Sequence, residues 1–355
     1  MKKKVLTAIL AAAMACSLAA CGSSSSDSSS SDSSSTEDAE EEAESEDADE
    51  ETADAGVGDV NGDGKLTVVH CLMHNINYFM QLQAQGGQAA ADEYGAEYTY
   101  YSPATFPDSA GQVENIESAI AMGADIIIVD AVDTEVATKA AKEAMDQGIV
   151  IACSNSGITE GEGLGLWSTD NYQAAWTAAD EMAEAIGGEG QVAVICYGQG
   201  IQASEERLYG FLDNMEQNYP DIEVVDYQWV EATSAEGADA AKTFITTYPD
   251  LDGMYATCQD ITQGMIVGVQ EADKVGAYTL IGFDSGSIVN DAIRDGILTG
   301  SIMQSPYTMG YESVKAAIEY LQNGTEPDEW FNDTGVMFVT QDNIESDDAA
   351  KVMYD

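Results

Sequence analysis

The chain is poor in positive charge. It carries only 12 lysines and arginines against 64 aspartates and glutamates in 355 residues, a formal net charge of −52. Attraction to phosphate backbones or anionic lipid headgroups then has no source, and nucleic acid is excluded as a partner. Histidine is scarcer still: His70 and His74 are the only two. Four-residue spacing aligns side chains on a helix, but the local pattern VVHCLM is that of a strand and its exit, so the pair predicts no metal site. No C-x-x-C spacing occurs, which removes support for zinc or dithiol redox chemistry. Cys71, Cys153, Cys196 and Cys258 lie in or beside apolar, β-rich runs and read as buried thiols, with pairing left open if two approach within reach. No Ser-His-Asp or Cys-His set has a structural context, so neither catalysis nor a cofactor is expected.

Long apolar runs are also missing. The one at the amino end, VLTAILAAAMA behind Lys2, Lys3 and Lys4, is too short for a stable spanning helix and reads as an export signal. It closes on Leu18-Ala19-Ala20-Cys21, which resembles the bacterial lipobox, so residues 1–21 are expected to be a lipoprotein signal peptide and Cys21 the lipidated first residue of the mature chain. Residues 22–56 hold almost no large apolar side chain and cannot offset the entropy of ordering. They predict a disordered Ser-rich, acidic tether with a reach of about 30 Å, extended further by self-repulsion among its carboxylates. The expected location is the outer face of the cell membrane, held there by lipid.

From Leu66 onward, short β-type runs alternate with helix-period segments. Nine strands are predicted: LTVVHCLM, EYTYY, ADIIIVDA, GIVIAC, QVAVICYG, IEVVDYQWV, LDGMYAT, AYTLIGF and LTGSIMQ. Segments such as AGQVENIESAIAMG and EVATKAAKEAMDQG lie between them at the spacing of parallel βαβ units. Continuous apolar strands such as DIIIVDA fit sheets covered on both faces. The alternation runs twice, divided by the Gly- and Ser-rich stretch 154–171, so an α/β fold of two doubly wound parallel-sheet lobes follows.

These residues resemble a family, the sugar-binding proteins of bacterial ABC importers in the ribose- and galactose-binding branch that shares its fold with LacI-type repressors. The resemblance spans roughly residues 65 to 340. It rests on Gly-Ala-Asp-Ile-Ile-Ile-Val at 123–129, Ser-Thr-Asp-Asn at 168–171, Arg-Leu-Tyr-Gly-Phe at 207–211, Ile-Gly-Phe-Asp at 281–284, and Gln304-Ser305-Pro306 before Met309-Gly310. Each is short, but they stand in the family's order and spacing. No basic helix-turn-helix precedes them, so the repressor branch is excluded. The resemblance implies the type I periplasmic binding protein fold with a three-segment hinge near residues 170, 304 and 333. Residues 57–169 plus 305–332 would form the N-terminal lobe, and residues 170–304 plus 333–355 the C-terminal lobe.

The same resemblance implies the ligand and its contacts. A neutral sugar would lie between the lobes at the carboxyl ends of strands. Asn75, Tyr78 and Phe79 would line it from the first loop, the two aromatics stacking on the ring. Arg207 and Asp284 would bond hydroxyls and Gln304 would sit near the hinge. Ser154-Asn155 and Gln259-Asp260 stand where ribose binders commonly have Asp-Arg and an asparagine before aspartate, which speaks against ribose itself. A second stacking aromatic is absent near Ala232, with Trp167 and Trp229 as replacements. The implied partners are a small-molecule sugar and ABC permease subunits, with the receptor a monomer; a signalling receptor lipoprotein of the same fold is the alternative.

Two other motifs compete. Gly198-Gln199-Gly200-Ile201-Gln202-Ala203, after a strand and before Asp226, matches a G-x-G-x-x-A dinucleotide fingerprint, but Glu205 and Glu206 beside it would repel a pyrophosphate. Asp59, Asn61, Asp63 and Gly64 occupy positions one, three, five and six of an EF-hand-type loop. The twelfth position falls on His70 and a strand follows instead of a helix, so the stretch reads as a turn that ends the tether.

Overall fold

The computed structural model describes residues 59–75 and 77–354. The export signal, Cys21 and the tether lie outside the described residues. No helix among the described residues is long and apolar enough to cross a membrane.

All nine predicted strands form, and they divide between two six-stranded sheets. The first has the order β11-β5-β4-β3-β1-β2. Its strands are β1 (Thr67–Cys71), β2 (Glu97–Tyr101), β3 (Ile126–Val129), β4 (Val150–Ser154), β5 (Leu166–Ser168) and β11 (Phe331–Asp333), all parallel. The second has the order β12-β10-β9-β8-β6-β7. It comprises β6 (Gly190–Tyr197), β7 (Ile222–Val230), β8 (Gly253–Ala256), β9 (Thr279–Phe283), β10 (Gly300–Gln304) and β12 (Val336–Thr340), with β12 antiparallel to β10. The chain passes between the sheets at residues 169–170, 305 and 334–335.

Strand residues alternate between faces, and each face meets a helical layer. In the first sheet, Val69, Ile127, Val129 and Ile151 join the core under α2 (Ser109–Met122) and α3 (Thr134–Met145). Their neighbours Val68, Ile126, Ile128 and Val150 face the other way, toward α1 (Tyr78–Tyr94) and α9 (Pro306–Asn323). In the second sheet, Ala193, Ile195, Met254 and Leu280 meet α6 (Ser234–Thr247), α7 (Gln259–Glu271) and α8 (Ser287–Arg294). Val192, Val194, Tyr255 and Ile281 meet α4 (Asn171–Ile186) and α5 (Gln202–Asn218). Burial on both faces is why these strands read as unbroken apolar runs.

Asn77, Asp108, Asp133, Asp170 and Thr233 each accept a backbone N–H at a helix start, which fixes where α1, α2, α3, α4 and α6 begin. One contact depends on glycine. A Cβ on Gly310 of α9 would fall 1.9 Å from the Gln83 carbonyl oxygen of α1, and one on Gly86 would fall 2.0 Å from that of Tyr307. The two helices therefore touch backbone to backbone, which only residues without side chains permit.

Three strands were not predicted. β5 and β11 are three-residue segments with polar carboxyl ends beside the crossings, β5 held by β4 and β11 by β5. β12 (VMFVT) lies beyond a crossing and pairs as an antiparallel edge. The described cysteines are free: Cys71, Cys153 and Cys196 are buried and Cys258 is half-buried. Burial pushes the Cys71 and Cys153 thiols up to about 12, so they stay protonated and unreactive.

The loop at Asp59 is a docked turn. The Asp59 carboxylate accepts the N–H groups of Gly62, Asp63 and Gly64, and Asn61 and Asp63 each accept one more. The turn is seated on Asp125, which takes the N–H of Val60.

Candidate functional site

Ligand sites of open α/β sheets lie beyond the carboxyl ends of their strands, and the predicted polar residues collect there in the second lobe. Asp284 follows β9 with φ 71, in the left-handed region that aspartate tolerates better than most side chains. Its backbone is locked by an N–H bond to the Ile302 carbonyl (2.8 Å) and a bond from Ser301 Oγ to its own carbonyl (2.7 Å). Its Oδ1 accepts from Gln304 Nε2 at 2.6 Å, and its Oδ2 accepts from the Gln259 N–H at the start of α7 at 3.3 Å.

Arg207 completes the cluster. Its guanidinium lies 3.7 Å from the centre of the Phe283 ring and 3.9 Å from Asp284 Oδ2. Nε donates to Asn171 Oδ1 (2.8 Å) and Nη1 to the Thr257 carbonyl (2.9 Å). Both charged side chains are close to nine-tenths buried, so their mutual attraction is weakly screened. The result is a fixed fork of donors beside a fixed acceptor, suited to a ligand that offers several hydroxyls.

The first lobe offers an aromatic surface. Tyr78 opens α1 and is 42 % exposed, while Phe79 is buried beside it. Asn75 remains exposed on the loop after β1.

Ser154 and Asn155 depart from expectation. Ser154, at the end of β4, is fully buried and bonded to Gln83 Nε2 (2.5 Å) and His70 Nε2 (2.9 Å). It serves the interior of its lobe and offers nothing to a ligand there. Asn155, at φ 59, turns its amide onto the Asp130 carboxylate (3.1 Å). Of the two tryptophans, Trp167 is buried in the core beneath α9, and Trp229 is half-buried against the core beside α5.

Asp130 was not singled out from the sequence. It follows β3 directly and is fully buried; burial pushes its carboxyl well above the ordinary range, opposed by the bond from Asn155. The other residue missed is Tyr354, whose buried ring stacks on Tyr78 and meets Phe79 edge-on. One rival is closed by geometry. The Gly200 N–H, which a pyrophosphate would need, is taken by the Glu205 carboxylate at 3.1 Å. A concavity of about 570 Å³ lined by Ile149, Leu164, Tyr320 and Trp330 lies at the opposite, amino ends of the first lobe's strands.

Comparison with known proteins bears on the fold and the family. The ribose import binding protein RbsB of Escherichia coli is 24 % identical over 248 residues, covering 70 % of this chain and 82 % of its own length. The arabinose binding protein AraP of Geobacillus stearothermophilus superposes with a TM-score of 0.74 at 27 % identity, over 79 % of this chain and 98 % of that one. A carbohydrate transporter solute binding protein of Agrobacterium radiobacter, solved with D-arabinose, gives 0.72 at 25 %, over 82 % and 100 %. Residues 69–326 match the model of the periplasmic binding protein domain, and the chain belongs to that family.

Proposed function

We propose that this chain is an extracytoplasmic receptor that captures a neutral monosaccharide or related sugar between its lobes and delivers it to an ABC permease. The observation that carries the reading is the convergence of Arg207, Asp284, Gln304 and the Gln259 N–H at the strand ends of one lobe. A pyranose presents C–H faces ringed by hydroxyls, so it suits such polar groups together with an aromatic surface such as Tyr78 and Phe79. The relatives support the substrate class, since they are named for import of ribose and D-apiose and for binding xylitol. Lipid at Cys21 would hold the receptor at the membrane, and bending at the three crossings would close the lobes on sugar, with the ligand stabilising the closed state.

The test is a thermal-shift screen of the full chain, purified in detergent, against neutral pentoses, hexoses, disaccharides and polyols. A sugar at 100 times its Kd adds about 2.7 kcal/mol of stability, a shift read without difficulty. Stabilisation by one sugar class is the expected result; a flat panel retires the reading.

A further inference from the structure

The carboxyl end of the chain reaches between the lobes. After α10 (Ala349–Val352), whose Ala349 and Val352 belong to the second lobe's core, Tyr354 turns inward and is only 5 % exposed. Its peptide is bonded to that lobe: the N–H donates to Ser285 Oγ and the carbonyl accepts from Asn290 Nδ2, both at 3.0 Å. Its ring belongs to the other lobe's surface. It lies 6.4 Å from the Tyr78 ring at an interplanar angle of 22° and 6.2 Å from Phe79 at 84°, in one apolar cluster with Leu72 and Met309.

We infer that Tyr354 is a ligand-contacting residue, an aromatic wall carried by the second lobe that faces the Tyr78–Phe79 surface and holds a sugar ring from its other side. This rests on the sugar-receptor reading above.

Three observations support a wall over a displaceable tail. Ser285 and Asn290 are buried, so withdrawing Tyr354 would strand polar groups away from water. The Tyr354 backbone therefore travels with the second lobe, and opening at the crossings separates its ring from Tyr78 and Phe79. The facing rings are near parallel and 6.4 Å apart, so it is after opening has parted them that they present two aromatic faces to a flat ring. The Tyr354 N–H is bonded to Ser285, the residue that follows Asp284, which sets Tyr354 beside the hydroxyl-binding cluster. The cleft so formed favours ring sugars, with C–H on two faces, over acyclic polyols.

The test is calorimetric titration of the full chain and of Tyr354→Ala, Tyr354→Leu and Tyr354→Phe with D-ribose, D-arabinose, D-xylose, D-glucose, D-galactose and xylitol, with circular dichroism melts on each variant. The leucine variant keeps apolar volume in the cluster and serves if the alanine variant does not fold. The expected result is a Kd at least about fivefold weaker in the alanine and leucine variants, a gain of about 1 kcal/mol from the aromatic face. The phenylalanine variant stays within about threefold, and the preference for ring sugars over xylitol narrows in the other two. Unchanged or tighter binding in folded alanine and leucine variants overturns the inference, tighter binding meaning that the ring competes with sugar. A wild-type chain that binds no sugar overturns the receptor reading and this inference with it.

Discussion

Among the described residues, Arg207–Asp284 is the one ion pair with both side chains largely buried. The charged atoms lie 3.9 Å apart with side chains 7 % and 12 % exposed. At an effective dielectric of about 20, their attraction is about 4 kcal/mol. A double-mutant cycle isolates it. Asp284→Asn removes the charge, keeps an oxygen for Gln304, and remains comfortable at φ 71, where alanine would add backbone strain. Arg207→Met keeps an apolar stem over Phe283 while removing the cation. Urea unfolding of the four proteins should return a coupling energy of about 2–4 kcal/mol that falls little between low salt and 0.5 M salt. Each single variant should also weaken sugar binding about tenfold to a hundredfold, the loss of a charge-assisted hydrogen bond. A coupling below about 0.5 kcal/mol would refute the argument, because it would mean that water screens the pair and the recognition cluster is not a preset, dry one.

Further consequences concern pH and packing. Burial holds the His70 imidazole down at about 3, so the unfolded chain takes up a proton that the fold refuses, and stability falls as pH drops from about 6.5 toward 3 by up to about 1.4 kcal/mol per unit. Asp130 acts with the opposite sign: its raised carboxyl keeps a proton in the fold, so its contribution is lost as pH rises above the ordinary carboxylate range. Urea midpoints between pH 4 and 7 should therefore show Asp130→Asn losing stability more steeply on acidification than wild type, and His70→Asn less steeply; parallel curves would contradict both assignments. Gly310→Ala places a methyl on the Gln83 carbonyl and should cost about 1–3 kcal/mol in the same assay, whereas an unchanged midpoint would show that α1 and α9 separate freely. Asp59→Ala should speed proteolysis at residues 59–64 and leave sugar affinity unchanged; altered affinity would tie that turn to the cleft.

What the sequence disclosed follows from how its information is stored. Strands buried on both faces announce themselves as runs such as IIIV and VAVIC, and the helices between them as segments of helical period, so most of the two-lobed fold was legible. Segments LWS and FND are too short to show a pattern of their own, and FND pairs with LWS more than 160 residues away. In the site, Arg207, Asp284 and Gln304 stood in motifs that the resemblance covered. That Ser154 bonds His70 and that the Asn155 amide turns onto Asp130 are tertiary contacts which a linear sequence does not show. Asp130 was hidden among 64 acids, and Tyr354 is separated by 69 residues from the Ser285 it binds.

The glycine contact between α1 and α9 has a mechanical meaning. α9 begins at Pro306, directly after the crossing at Ser305, and α1 begins with Tyr78 and Phe79. Because Gly86 and Gly310 let the two backbones mesh without cushioning side chains, α1 and α9 form one stiff unit, with Ser305 and the aromatic pair Tyr78 and Phe79 at the same end of it. On the proposed closing motion, a small change in backbone torsion at Ser305 would be carried to Tyr78 and Phe79 with little loss to side-chain give, so two residues that have no side chain at all would gear grip to hinge.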